Sequence, residues 1–177
     1  YFQAIVEPEA ADMFTFLINV GCRFSEAERM QSGEVDLGRR SVYFPKCKNN
    51  KPRTVPLTGQ ALSAVEGRVS PVKKYRVFSY SYRQYKYLFA KAKGALGLEY
   101  DKQLSIHTLR HTCASRLAAK GVSLPAIQAW GGWSSLGAIQ KYLHLDITGL
   151  EMARRALESE CSTSAAQENA LAVLGNH

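Results

Sequence analysis

Apolar residues recur at helical spacing from the first stretch of the chain onward. Met13, Phe14, Leu17 and Ile18 share one face, and Pro8 with Glu7, Glu9 and Asp12 reads as the first turn ahead of them. Gly21 is placed to end that helix. Ser25, with Glu28 three residues on, reads as a capping box that opens a second, short helix. The period then changes. Residues 35–37, 41–44 and 53–57, with Gly38 and Asn49-Asn50 as turn signals, predict a small antiparallel sheet of three strands. Helical patterns resume over 61–65 and 81–96. The second of these interleaves Tyr82, Tyr85, Tyr87 and Phe89 with Arg83, Lys86, Lys91 and Lys93. Aromatics at that spacing read as a core face rather than as base-stacking platforms, and the cations between them remain able to face phosphate. Further helices are predicted over 108–119, closed by Gly121, over 124–130 after Ser123, and over 135–142 after Gly131-Gly132. A last one is capped by Thr148 with Glu151. The expected fold is mostly α with a small three-stranded antiparallel sheet.

Composition narrows the class. A chain of 177 residues has the size of one domain. With 46% hydrophobic and 21% charged residues it is not a disordered chain. No apolar run reaches the roughly 18 residues of a membrane span, and no signal-peptide pattern is present. Cys22, Cys47, Cys113 and Cys161 lack paired spacing, which argues against a zinc site or a disulfide framework and for a reducing compartment. Tyr1-Phe2-Gln3 reads as the remnant of a purification-tag protease site, so the domain is expected over 4–159, with a separate tail over 160–177. The abrupt helical start after that remnant is what an excised domain would show.

The net charge of +8 is unevenly spread. From Arg39 to Lys93 there are 14 Lys and Arg residues against one acid, Glu66, while the rest of the chain is net acidic. Such polarity points to a polyanionic partner. Taken alone it leaves nucleic acid and an anionic membrane surface both open.

Three segments carry candidate chemistry. The first, 21–27, places Arg23 just before a short helix. The second, 45–57, is a hairpin carrying Lys46, Lys48, Lys51 and Arg53. The third begins at His107-Thr108-Leu109-Arg110-His111-Thr112 and continues through Gly132-Trp133-Ser134-Ser135 to Tyr142, nine residues after Trp133. Singly each is weak. In this order they resemble the catalytic domain of the tyrosine recombinase (phage integrase) family, over about residues 5–159.

That resemblance implies a set of roles. Arg23 and Arg110 would be the two arginines, Lys48 the hairpin lysine, His107 the first residue of the His-x-x-Arg segment, and Tyr142 the nucleophile. Trp133 stands where most integrases have His. An indole has one N–H donor and no basic nitrogen, so a base role is excluded there while hydrogen bonding to phosphate survives. Glu26 matches a supporting acid. Lys46, Lys51, Arg53, Arg83 and Lys86 are the cations expected to contact DNA. The N-terminal DNA-clamping domain of family members is not recognisable in this sequence.

The chemistry explains these residue types. Attack on a phosphodiester builds charge on the nonbridging oxygens, and two guanidiniums supply planar donors to them without titrating. Losing one preorganised donor commonly costs roughly 10²–10³ in rate. Tyr142, a phenol of intrinsic pKa about 10, needs nearby cations or a base, and His107 is the candidate helper. The 5′-oxygen must leave with a proton. Lys48 is the expected acid, with Lys46 and Lys51 as alternatives of register. The expected product is a 3′-phosphotyrosine, formed with no metal, cofactor or ATP.

The partner implied is a double-stranded DNA attachment site, acted on by a homo-oligomer (a tetramer in the family), with the isolated domain monomeric. No membrane is involved, and the setting is the cytoplasm of a bacterial or phage-infected cell. Other strand-transferases share this residue set, including dimer resolvases, conjugative-transposon enzymes and topoisomerase-like enzymes; a non-catalytic DNA-binding relative is a further alternative. His111 and His144 read as structural, and Cys47 and Cys113 as small fillers. Ala170, Leu171, Val173 and Leu174 form either an anchor for a neighbouring protomer or an end folded on its own domain.

Overall fold

The computed structural model describes residues 6–45, 51–135 and 137. The chain divides into two units, Tyr1–Tyr142 and Leu143–His177, and every described residue belongs to the first. Apart from Ser135 and Gly137, the helices expected over 135–142 and beyond Thr148, the hairpin tip and the C-terminal tail lie outside the described residues.

Helix α1, Pro8–Val20, opens on a proline whose fixed φ suits a first turn. It ends at Gly21, which takes the left-handed φ of 65° and donates its N–H to the Leu17 carbonyl at 2.9 Å. Ala10, Met13, Phe14, Phe16, Leu17 and Val20 are all buried, so this helix runs through the core rather than along its surface. Helix α2 spans Phe24–Arg29. Its cap differs from the expected one: Arg23 is the N-cap, and the Glu26 carboxylate, not Glu28, turns back to accept the Arg23 backbone N–H at 2.7 Å. Ser25 lies inside the helix, and Glu28 accepts the Tyr82 backbone N–H instead.

A 3₁₀ turn at Ser32–Glu34 leads to the sheet: β1 (Val35–Asp36), β2 (Ser41–Phe44) and β3 (Arg53–Pro56), antiparallel in that order. The register sets Val42 opposite Val35 and Val55, all buried, so one face packs on the core. Gly38 is the turn signal between β1 and β2, yet the positive φ there, 50°, falls on Arg40. The Arg40 carbonyl accepts the Leu57 N–H at 2.7 Å.

Helix α3, Gly59–Glu66, is capped by the Thr58 hydroxyl, which accepts the Ala61 N–H at 3.2 Å. Helix α4, Tyr82–Ala95, buries Tyr85, Leu88, Phe89 and Ala92, the one face that helical spacing allows. Phe14 meets Phe89 edge-on at 5.3 Å between centroids and Tyr85 at 6.3 Å. Tyr82 and Tyr87 of the same interleaved run stay exposed, so only half of those aromatics form core. Glu9 fastens the segment before α4 to α1 by accepting from the Ser79 and Tyr80 backbones, the Ser79 hydroxyl and the Tyr85 phenol. Arg68 forks onto Asp12 at 2.8 and 2.6 Å and completes that seam.

Helix α5, Ile106–Ala119, and helix α6, Leu124–Gly131, finish the described part. Ala114, Ile127 and Trp133 make a small second core between them, apart from the main one. Among the described residues no helix is long and apolar enough to cross a membrane.

Candidate active site

The end of α1, the N-terminus of α2, the first turns of α5 and the end of α6 meet at one place. Arg110 is their hub. It is 3% exposed, and its Nη1 donates to the Gly21 carbonyl at 2.6 Å and to the Gly131 carbonyl at 2.7 Å, joining the two glycine turns that end α1 and α6. Both turns need glycine. A Cβ on Gly21 would lie 2.8 Å from the Cys113 sulfur, and one on Gly131 would lie 1.8 Å from Cζ3 of Trp133. The Trp133 ring, 8% exposed, covers the Arg110 guanidinium with its face, 4.0 Å from centroid to Cζ. Burial first, and then the charge of Arg23, push the Arg110 pKa down to about 10. The group stays cationic at neutral pH, at the cost of lost hydration and like-charge repulsion.

Arg23, the N-cap of α2, turns its guanidinium toward the same place. Its Nη1 is buried, 3.7 Å from Glu26 Oε1, and has no hydrogen-bond partner among the described residues. Glu26 is 6% exposed. Burial raises its pKa, but hydrogen bonds from Arg53 and from the Arg23 backbone, with both positive charges, carry the net shift below the ordinary glutamate value.

Arg53, one of the cations expected to contact DNA, has a side chain that is only 10% exposed and is engaged within the protein. Nη1 and Nη2 fork onto Glu26 at 3.0 and 2.9 Å, Nε donates to the Trp130 carbonyl at 3.2 Å, and the guanidinium lies over the Phe44 ring at 4.5 Å. Lys51, Arg83 and Lys86 are exposed, as a contact to DNA requires. Lys46, Lys48 and Tyr142 lie outside the described residues, as does His144.

His107 is exposed in the first turn of α5. That turn is pinned by Thr108, whose hydroxyl accepts the Ser105 N–H at 3.0 Å and donates to the Gln103 carbonyl at 2.8 Å. The His111 ring stands edge-on to His107, 4.5 Å between centroids. A purely structural reading of His111 overlooks this neighbour, although an i, i+4 spacing already places the two on one face. A cleft of about 320 Å³ runs from His107 past Phe24, Tyr82, Lys86, Phe89 and Lys93. A second, of about 430 Å³, lies on the Trp133 side between Lys51, Arg53, Gln128 and Ser134.

Two guanidiniums that repel one another, one buried and the other with an unpartnered buried nitrogen, form a site that an anion would relieve. Cys22 and Cys113 are buried free thiols beside it. Burial raises both, Cys113 to about 11, so neither is a thiolate nucleophile at neutral pH. Among the described residues no group of three or more His, Cys, Asp or Glu side chains is placed to hold a metal ion.

The model of the phage integrase family matches residues 7–148. Tyrosine recombinase XerC of Actinobacillus pleuropneumoniae is 30% identical over 149 residues, covering 78% of this chain and 48% of the relative. The integrase of Salmonella phage P22 is 26% identical, covering 84% and 42%. The chain thus spans about half the length of the curated relatives it matches. Among solved structures, the catalytic domain of bacteriophage HP1 integrase superposes with a TM-score of 0.62 at 25% identity, covering 82% of this chain and 80% of that one. XerH recombinase bound to its difH substrate reaches 0.67 at 23% identity, covering 83% and 46%, a likeness of fold.

Proposed function

Because this chain belongs to the phage integrase family, we propose that it is the catalytic domain of a site-specific recombinase that cuts and rejoins duplex DNA through a covalent 3′-phosphotyrosine. One observation carries the reading: the buried Arg110 guanidinium feels the charge of a second one, Arg23, whose Nη1 is buried and has no hydrogen-bond partner among the described residues.

In the reaction the scissile phosphate takes that position. Its nonbridging oxygens accept from Arg23 and from the donors of Arg110 other than Nη1, which is held by the two glycine carbonyls. Repulsion between the guanidiniums falls as negative charge grows, so stabilisation is greatest at the pentavalent transition state. The Tyr142 oxygen forms a bond to phosphorus while the bond to the 5′-oxygen breaks. The phenolic proton passes to His107, and Lys48 protonates the departing 5′-oxygen. The phosphotyrosine ester retains the energy of the bond it replaced, and the returning 5′-hydroxyl reverses the sequence without ATP. The exposed Lys51, Arg83 and Lys86 hold the duplex backbone. Recombination proper would be the work of several copies on one DNA site, inside a bacterial or phage-infected cell.

The test is a nicked suicide duplex incubated with wild-type chain and with Tyr142→Phe, followed by denaturing electrophoresis and peptide mapping of any adduct. Wild type is expected to link to the 3′-phosphate through Tyr142, and Tyr142→Phe to bind equally well and link not at all. DNA binding without an adduct by wild type would overturn the reading in favour of a non-catalytic DNA-binding relative.

A further inference from the structure

Two arginines face one buried carboxylate, and they hold it unequally. Arg53 donates from Nη1 to Glu26 Oε1 at 3.0 Å and from Nη2 to Oε2 at 2.9 Å. Oε2 also accepts the Arg23 backbone N–H at 2.7 Å. The Arg23 side chain is left out: its Nη1 stands 3.7 Å from Oε1, beyond a hydrogen bond, and has no partner among the described residues. Yet Arg23 is three residues from Glu26, a spacing at which such pairs commonly close. Arg53 prevails because it is fixed independently of the carboxylate. Its Nε donates to the Trp130 carbonyl at 3.2 Å, its guanidinium lies over Phe44 at 4.5 Å, and a Cβ on Gly132 would come within 2.7 Å of Nη1. Its side chain is 10% exposed against 35% for Arg23, so its charge is the less screened by water. The fork then presents two parallel donors to both carboxylate oxygens.

We propose that Arg53 is a positioning residue that keeps the Glu26 carboxylate off the Arg23 guanidinium, so that Arg23 stays open to the scissile phosphate. The inference rests on the activity proposed above. Without the fork, Oε1 is a buried anionic oxygen with no donor, and Arg23 Nη1 is the cation that already faces it. An Arg23 closed onto Glu26 must give up that carboxylate before it can serve phosphate. A donor that has to reorganise stabilises the transition state less than one already free. An arginine that merely filled the space between the sheet and the Trp130 turn would act differently: its loss would weaken the fold and leave the chemistry of the folded molecules alone.

The two roles separate in a suppressor experiment. First, the cleavage site of the wild-type chain is mapped on supercoiled plasmid DNA. Single-turnover adduct formation is then followed on a nicked suicide duplex bearing that site, with each rate divided by the folded fraction from circular dichroism and duplex affinity measured by fluorescence anisotropy. Arg53→Gln is expected to lose about a hundredfold in rate, the usual cost of one preorganised donor. Its duplex affinity should stay near that of wild type, because the exposed Lys51, Arg83 and Lys86 hold the backbone. Arg53→Gln combined with Glu26→Gln removes the competing carboxylate as well, frees Arg23, and should return to within about tenfold of the wild-type rate. Should Arg53→Gln not fold, Arg53→Lys, which keeps the charge but cannot fork, takes its place alone and in combination, with the same expectations. A double variant as slow as the single one, or a single variant as fast as wild type, overturns the positioning role while leaving the proposed activity standing. A wild-type chain that forms no adduct overturns the activity, and this inference with it.

Discussion

The Arg110 guanidinium carbon sits over the face of the Trp133 ring, 4.0 Å from its centroid. That contact ties the small core between α5 and α6 to the candidate anion site, so packing there also sets the aim of a cation. Trp133→Phe keeps an aromatic face and is expected to cost about 1.5 kcal/mol of stability and less than tenfold in adduct formation. Trp133→Ala leaves a cavity, with about 3–5 kcal/mol lost and a rate deficit of at least a hundredfold. Thermal denaturation and single-turnover assays check both. If the two variants lost rate equally, the indole N–H rather than the ring face would be what the reaction uses.

Gly131→Ala tests the same contact from below. Its new methyl would meet the Trp133 ring at 1.8 Å and drive it off the guanidinium. A stability loss of about 1–3 kcal/mol should accompany a fall in adduct formation comparable to that of Trp133→Ala. Near-wild-type activity would show that Arg110 keeps its aim without the indole.

Glu26 gives a pH signature. Its folded pKa lies below the unfolded value, near 4.5, so its contribution is present above that value and is lost as pH falls through the folded pKa. Glu26→Gln leaves Arg53 buried without its carboxylate and should cost about 3–5 kcal/mol at neutral pH. Urea midpoints measured across pH should show the gap between wild type and Glu26→Gln narrowing below about pH 4.5. A gap independent of pH would mean that the carboxylate charge is not what holds Arg53.

Salt dependence separates the exposed cations from the buried one. Lys51→Gln, Arg83→Gln and Lys86→Gln should each reduce the slope of log affinity against log salt, on nonspecific duplex, by about 0.9 for every phosphate that the variant no longer neutralises. Arg53→Gln should leave that slope unchanged, because its guanidinium faces Glu26 rather than solvent. Fluorescence anisotropy titrations over a salt series make the comparison.

Much of this molecule is determined locally. Pro8 and Gly21 bound α1, Thr58 caps α3, and the alternation over 41–44 and 53–56 makes two strands, because each depends on backbone angles and neighbours a few residues away. Arg23 and His107 stand at or beside a helix cap and Arg110 follows His107 by three residues on the same helix, so their order along the chain is enough to make them candidates. The second helix shows the limit of such reading, since two acids stand at capping distance and only the fold chooses Glu26 over Glu28.

Which cations turn inward is settled by packing between distant parts of the chain. Arg53 and Lys86 belong to the same basic half of the chain, yet Arg53 meets a carboxylate 27 residues away and a carbonyl 77 residues away, while Lys86 meets solvent. No local pattern encodes those encounters. A charge leaves water only where folding brings a partner to it, so its role follows from long-range packing and not from its neighbours in sequence.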